Sequence, residues 1–192
     1  MLAVVAVAAF AVAACGSTPT APAPTSSAPP PTSAQAPTSV APPTAPPTST
    51  GGVTNCATSE LKGSLGQEEG AAGSVIAPLI LTNIGSRTCE VRGFPGVSYV
   101  AGDDGHQVGP AAAMSGTRGG EVVLKPGAAA AAPLQMANVA NFDAAACNPT
   151  PVRGLRVYPP GDTTSLFILR AGTGCAATPP GNQLSVQTLA PA

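Results

Sequence analysis

The sequence predicts an all-β domain, an antiparallel sandwich of about seven to nine strands closed by two disulfides and preceded by a disordered tether. Three observations predict it. Short apolar runs are separated by Gly- and Pro-rich turns throughout the later part of the chain. The five cysteines comprise one near the start and four spread through that later part. The first 59 residues carry no charge at all, whereas every Lys, Arg, Asp and Glu lies between Glu60 and Arg170. The 192 residues therefore divide into two materials, and only residues 55–192 have the mixed chemistry that builds one hydrophobic core.

Residues 1–14 form the first element. Leu2 to Ala14 is an unbroken apolar run, too short to span a bilayer and of the length of a secretory signal core. Val12-Ala13-Ala14-Cys15 resembles the bacterial lipobox, in which small residues admit a peptidase and the cysteine thiol is acylated. The expectation is a signal peptide cleaved before Cys15, with lipid on Cys15 holding the chain to the membrane. Two or more acyl chains anchor stably, at ~0.8 kcal/mol per buried methylene. Met1-Leu2 supplies none of the positive charge that opens such a signal, so the natural start is expected further upstream.

Residues 15–54 form the lipidated end and a linker. Between Ser17 and Thr50 only Gln35 and Val40 are not Pro, Thr, Ser or Ala. Such a segment has no apolar periodicity to bury, so a core cannot offset its ordering entropy. Its prolines bias it toward extended polyproline II at ~3.1 Å per residue, which makes it a spacer. Its Ser and Thr beside Pro suit O-glycosylation; a ligand for proline-binding domains is the lesser alternative.

Within residues 55–192, Cys56, Cys89, Cys147 and Cys175 remain once Cys15 is set aside. In an exported chain they predict two bridges. Three connectivities are open; pairing neighbours, Cys56–Cys89 and Cys147–Cys175, is the one expected here. Each would close a loop of ~30 residues, worth ~3.5–4 kcal/mol on the chain-entropy model. Ser74 to Thr82 predicts a buried strand, in which Pro78 requires an edge position or a bulge. Val97 to Val100 and His106 to Val108 flank Gly102-Asp103-Asp104-Gly105 as a hairpin. Val122 to Leu124, an extended run from Ala128 to Met136, Leu155 to Tyr158, Ser165 to Leu169 and Leu184 to Thr188 complete the strands. Residues 137–146 are the one place where a helix is expected. The sum is immunoglobulin-like in architecture.

Composition and motifs exclude several functions. Eight Lys and Arg against nine Asp and Glu give no basic footprint for nucleic acid. One histidine, His106, and no C-x-x-C spacing argue against zinc, and blue copper lacks its second imidazole. Met114 and Met136 are expected as core filler, so no metal and no cofactor is expected. His106 beside Asp103 and Asp104 sits at a hairpin tip, where water is not excluded and no oxyanion hole forms. Asp103 and Asp104 lack the oxygen-rich spacing of a calcium loop. Adjacent Glu68 and Glu69 face opposite ways on a strand and cannot flank one glycosidic bond. Arg118-Gly119-Gly120 leads into a strand, not a phosphate-binding helix. The chain is expected not to be an enzyme.

Residues 81–89 (Leu-Thr-Asn-Ile-Gly-Ser-Arg-Thr-Cys), 93–97 (Gly-Phe-Pro-Gly-Val) and Leu124-Lys125-Pro126-Gly127, together with the paired late cysteines, resemble the domain of unknown function 4232. That family occurs in secreted proteins and lipoproteins of actinobacteria, and the resemblance spans about Cys56 to Leu189. It implies a disulfide-bonded β domain of the cell envelope and transfers no catalytic or ligand residue. The expected function is a monomeric, lipid-anchored module on the outer face of the cell membrane with a non-catalytic binding or structural role. Its partner is expected to be an envelope protein or a cell-wall glycan. The alternative is a solute- or carbohydrate-binding lipoprotein that delivers ligand to a transporter, which needs a pocket around aromatics such as Tyr99, Phe142 or Tyr158.

Overall fold

The computed structural model describes residues 52–192, so the signal segment, Cys15 and nearly all of the tether lie outside the described residues. A single 3-10 turn, Thr58–Glu60, opens the body. The strands then run β1 (Leu61–Leu65), β2 (Glu69–Ala71), β3 (Ser74–Asn83), β4 (Cys89–Arg92), β5 (Gly96–Ala101), β6 (His106–Val108) and β7 (Ala113–Met114). They continue as β8 (Glu121–Leu124), β9 (Ala129–Ala137), β10 (Pro149–Tyr158), β11 (Leu166–Cys175), β12 (Leu184–Val186) and β13 (Ala190–Pro191). The expected seven to nine strands become thirteen among the described residues, because several edge segments are only two to four residues long.

Two sheets contribute most of the core. In the seven-stranded sheet, β3 pairs with β1 and then β2 along one side and with β9 along the other. β9 carries β12 and β13 on its far side. The four-stranded sheet runs β11-β10-β5-β6, and β4 and β8 form a separate ribbon. Strand alternation sets the inward faces: Ala77, Leu79 and Leu81 of β3 and Ala130, Ala132 and Leu134 of β9 share one core with Val97, Tyr99, Leu155 and Val157. Each fully buried Val or Leu contributes ~1.5–3 kcal/mol. The alanines of β9 let the sheets approach; a helix does not form there because Pro126 and Pro133 bound too short a run.

The structure narrows or corrects several sequence expectations. β3 lies inside its sheet, so of the edge position and the bulge open to Pro78 it is the bulge that is found. Its Pro78 is tolerated because the partner chain shifts register by one residue between β1 and β2, a bulge beside Ala77 and Pro78. After β3 the chain continues as β4, which pairs with β8. Pairing is not antiparallel throughout, since β7 joins β12 in parallel. The expected helix in 137–146 is reduced to a 3-10 turn, Val139–Asn141, and one α-turn, Ala144–Cys147, capped by the Asp143 carboxylate.

Where the described chain enters the body it is secured several times. Thr54 to Cys56 lie alongside β4, with the Cys56 amide donating to Glu90 O at 2.9 Å and the Glu90 amide to Thr54 O at 3.0 Å. Cys56 is bonded to Cys89. Arg87 donates to Asn55 O at 2.8 Å, to Thr54 Oγ1, and in a fork to both Glu60 oxygens at 2.6 Å. That fork, with help from the Ala57 amide, holds the Glu60 carboxyl below its ordinary range.

Candidate functional site

The second bridge joins Cys147 to Cys175, so both disulfides link neighbours in sequence. Cys15 lies outside the described residues, and no described helix is long and apolar enough to cross a membrane.

The residues weighed for chemistry are dispersed. His106 Nδ1 lies 2.8 Å from Asp104 Oδ1, and both side chains are exposed. The ring's hydrogen bond is the main reason the Asp104 carboxyl is held low. No serine hydroxyl bonds that ring among the described residues. Asp103 instead accepts from Arg153 at 3.0 Å. Glu68 turns to Arg170, at 2.8 and 3.2 Å, while Glu69 belongs to β2 and is exposed. Among the described residues no three His, Cys, Asp or Glu side chains gather as a metal site would require. Met136 fills the core, but Met114 is 66% exposed; β7 is a two-residue edge segment and turns it outward.

What the strands assemble is a row of cations and rings on the outer face of the four-stranded sheet. Arg156 and Tyr158 alternate on β10, and Arg156 stands directly opposite Phe167 of β11. The Arg156 guanidinium lies 5.8 Å from the Tyr158 ring centre, and that of Arg153 lies 6.0 Å from the Phe167 ring centre. A register shift beside Arg153 brings this side chain into the row. Gly154 is needed beneath it: a β-carbon there would meet the Phe167 ring at 2.8 Å and Ile168 O at 2.2 Å. Ser98 and Val100, outward by alternation, are only 4% and 3% exposed under this cover.

The hairpin tip positions the two arginines. Arg153 Nη1 donates to Gly102 O at 2.6 Å, and Arg156 donates to Gly105 O at 3.3 Å and to Gln107 Oε1 at 3.0 Å. Arg156 Nε is sealed from solvent without a partner, the sole such side-chain atom among the described residues. Between the tip and the row lies a cavity of about 370 Å³, walled by Arg153, Arg156, Phe167, Asp103 and Ser165. Its charges balance, it combines fixed donors and acceptors with an aromatic ring that is 53% exposed, and it holds no paired nucleophile and base. Arg156-Val157-Tyr158 was the sequence signal for half of this row. The other half needed the register with β11, which the sequence does not display.

A second cavity, about 460 Å³, opens around Tyr99 between the ends of β3, β9 and β11. Phe142 and Tyr158 do not line it.

Against known proteins, the family described as Domain of unknown function (DUF4232) matches residues 56–190. No curated protein matches the chain, and no solved structure does.

Proposed function

Because the chain belongs to the DUF4232 family, we propose from its own residues that it is a lipid-anchored, non-catalytic binding module of the cell envelope. Cys15 carries the lipid, residues 15–54 reach outward, and an immunoglobulin-like sandwich presents the binding face. The observation that carries this reading is the guanidinium–aromatic row beside a charge-balanced cavity. Rigid rings and forked donors recognise a large partner at little entropic cost, and arginine and tyrosine are the residues that dominate such contacts.

The test places a photo-crosslinking side chain at Phe167 in the full chain, in intact cells, with Val123 on β8 as the control position. Adducts to an envelope protein or glycan are expected from position 167 and not from 123, and only while Cys15 is present. Cys15→Ser should move the protein from the membrane fraction into the medium or leave it unprocessed. Equal labelling from both positions removes the binding face, and unchanged membrane fractionation removes the anchor.

The cavity around Tyr99 favours a second reading, a solute-binding lipoprotein that hands its ligand to a transporter.

A further inference from the structure

Tyr99 points inward from the middle of β5, and only 3% of it is exposed. Burial is the main reason its phenol holds its proton more tightly than usual, and the charges that reach it belong to Arg170 and Glu68. Among the described residues the hydroxyl makes no hydrogen bond. It is not sealed in either, since Arg156 Nε is the one side-chain polar atom both sealed and unpartnered. A tyrosine whose ring is buried normally gives its hydroxyl a partner, in protein or in water. This one opens on the 460 Å³ cleft.

The rest of the cleft has a consistent polarity. Arg170 spends Nε and Nη2 on Glu68; among the described residues its Nη1 makes no hydrogen bond, and it lies 3.3 Å from where a β-carbon on Gly172 of the cleft wall would stand. Asn138 uses its Oδ1 to accept from the Ala140 amide, which leaves its amide donors unused. Both Glu68 oxygens are occupied by Arg170. Arg170 and the Asn138 amide thus offer donors, beside the Tyr99, Ser74 and Thr173 hydroxyls, which can donate or accept, and no carboxylate among the described residues lines the cleft; its apolar walls come from Val75 and Met136.

We propose that this cleft binds a small monocarboxylate with a short hydrocarbon body, its oxygens taking the Tyr99 hydroxyl and the Arg170 fork and its body lying against Val75 and Met136. Glu68, which is not on the cleft wall, is the partner it displaces from Arg170. Glu68 is 42% exposed, and an exposed ion pair of this kind holds only weakly, so an incoming carboxylate that also gains the Tyr99 hydroxyl competes with it. The inference rests on the solute-binding reading and is independent of the row of arginines, with which the cleft shares no lining residue.

The chain has no tryptophan and two tyrosines, so Tyr158→Phe leaves Tyr99 as the sole emitter. In that background, the full chain is titrated with butanoate and hexanoate, with butanamide as the neutral control. The acids are expected to change tyrosine emission saturably at millimolar concentration, with the amide about tenfold weaker. Glu68→Gln should tighten the acids several-fold by removing their competitor. Arg170→Lys, which loses the planar fork, should weaken them about tenfold. Equal response to acid and amide, or weaker binding in Glu68→Gln, overturns the carboxylate while keeping a solute site. Silence toward acids and amide alike overturns the inference and the solute-binding reading together.

Discussion

Pro78 of β3 and Pro133 of β9 stand directly opposite each other in the ladder between the two longest strands of the seven-stranded sheet. Each turns its polar edge away from the other: Pro78 O accepts from Gly66 N at 2.8 Å, and Pro133 O accepts from Gln187 N at 3.0 Å. They form a non-hydrogen-bonded pair, so neither missing N–H belonged to the β3–β9 ladder. Pro78→Ala and Pro133→Ala should each change stability by less than ~1 kcal/mol, mostly through the unfolded chain. Moving the ring one place, Ala77→Pro, should orphan a ladder carbonyl at a fully buried position and cost at least ~1–3 kcal/mol. Urea midpoints of the three variants decide this.

Gln183, 1% exposed, acts as a strand for Cys175. Its Oε1 accepts from the Cys175 amide at 2.8 Å and its Nε2 donates to Cys175 O at 3.0 Å. Gln183→Leu should leave both groups buried and unpaired and cost ~2–4 kcal/mol by denaturant unfolding. Gly109 closes on the same place with φ +67°, where a β-carbon would stand 2.0 Å from Cys175 O. Gly109→Ala should therefore destabilise at least as much, by strain and overlap together.

Each disulfide closes a loop of similar length, with sequence separations of 33 and 28. Cys56→Ala/Cys89→Ala and Cys147→Ala/Cys175→Ala should each lower stability by ~3–4 kcal/mol. Mild reductant should reproduce the sum in the parent chain, and intact mass before and after reduction should report both bridges.

Asp162 ties the entry turn to the loop after β10. It accepts from the Thr164 amide at 2.9 Å, the Thr58 hydroxyl at 2.7 Å and the Thr58 amide at 2.9 Å, and these bonds hold its carboxyl far below the usual range. A depressed folded value stabilises at pH above the unfolded value, ~3.9, and that stability fades as pH falls toward the folded one. Urea midpoints of parent and Asp162→Asn should differ at neutral pH and converge in acid. A gap that widens in acid would contradict this account.

Local chemistry in the sequence announced the parts of this fold that depend on neighbours. Gly102-Asp103-Asp104-Gly105 returns β5 on β6, with Tyr99 opposite Val108. The alanine run before Met136 lies extended as β9. What stayed hidden depends on partners distant in the chain. Pro78 left an edge position and a bulge equally open, because the register shift between β1 and β2 that decides for the bulge is not displayed by the local sequence. Arg153 and Phe167 meet only after β10 and β11 align. Tyr99 was one of three aromatics that could gather a pocket, and what singles it out over Phe142 and Tyr158 is visible only once Arg170 and Met136 stand around it.

The clasp at Thr54 to Cys56 has a mechanical consequence. Tension transmitted along the chain past residue 52 can peel no further than Cys56 before it loads a covalent bond, which hands the force to Cys89 and so to the ribbon. Arg87, gripping both sides of that seam, resists the first stage of the peel. A body dragged or jostled by its leading end would keep its core intact under pull, and reduction of this one sulfur bond would open the seam beneath it.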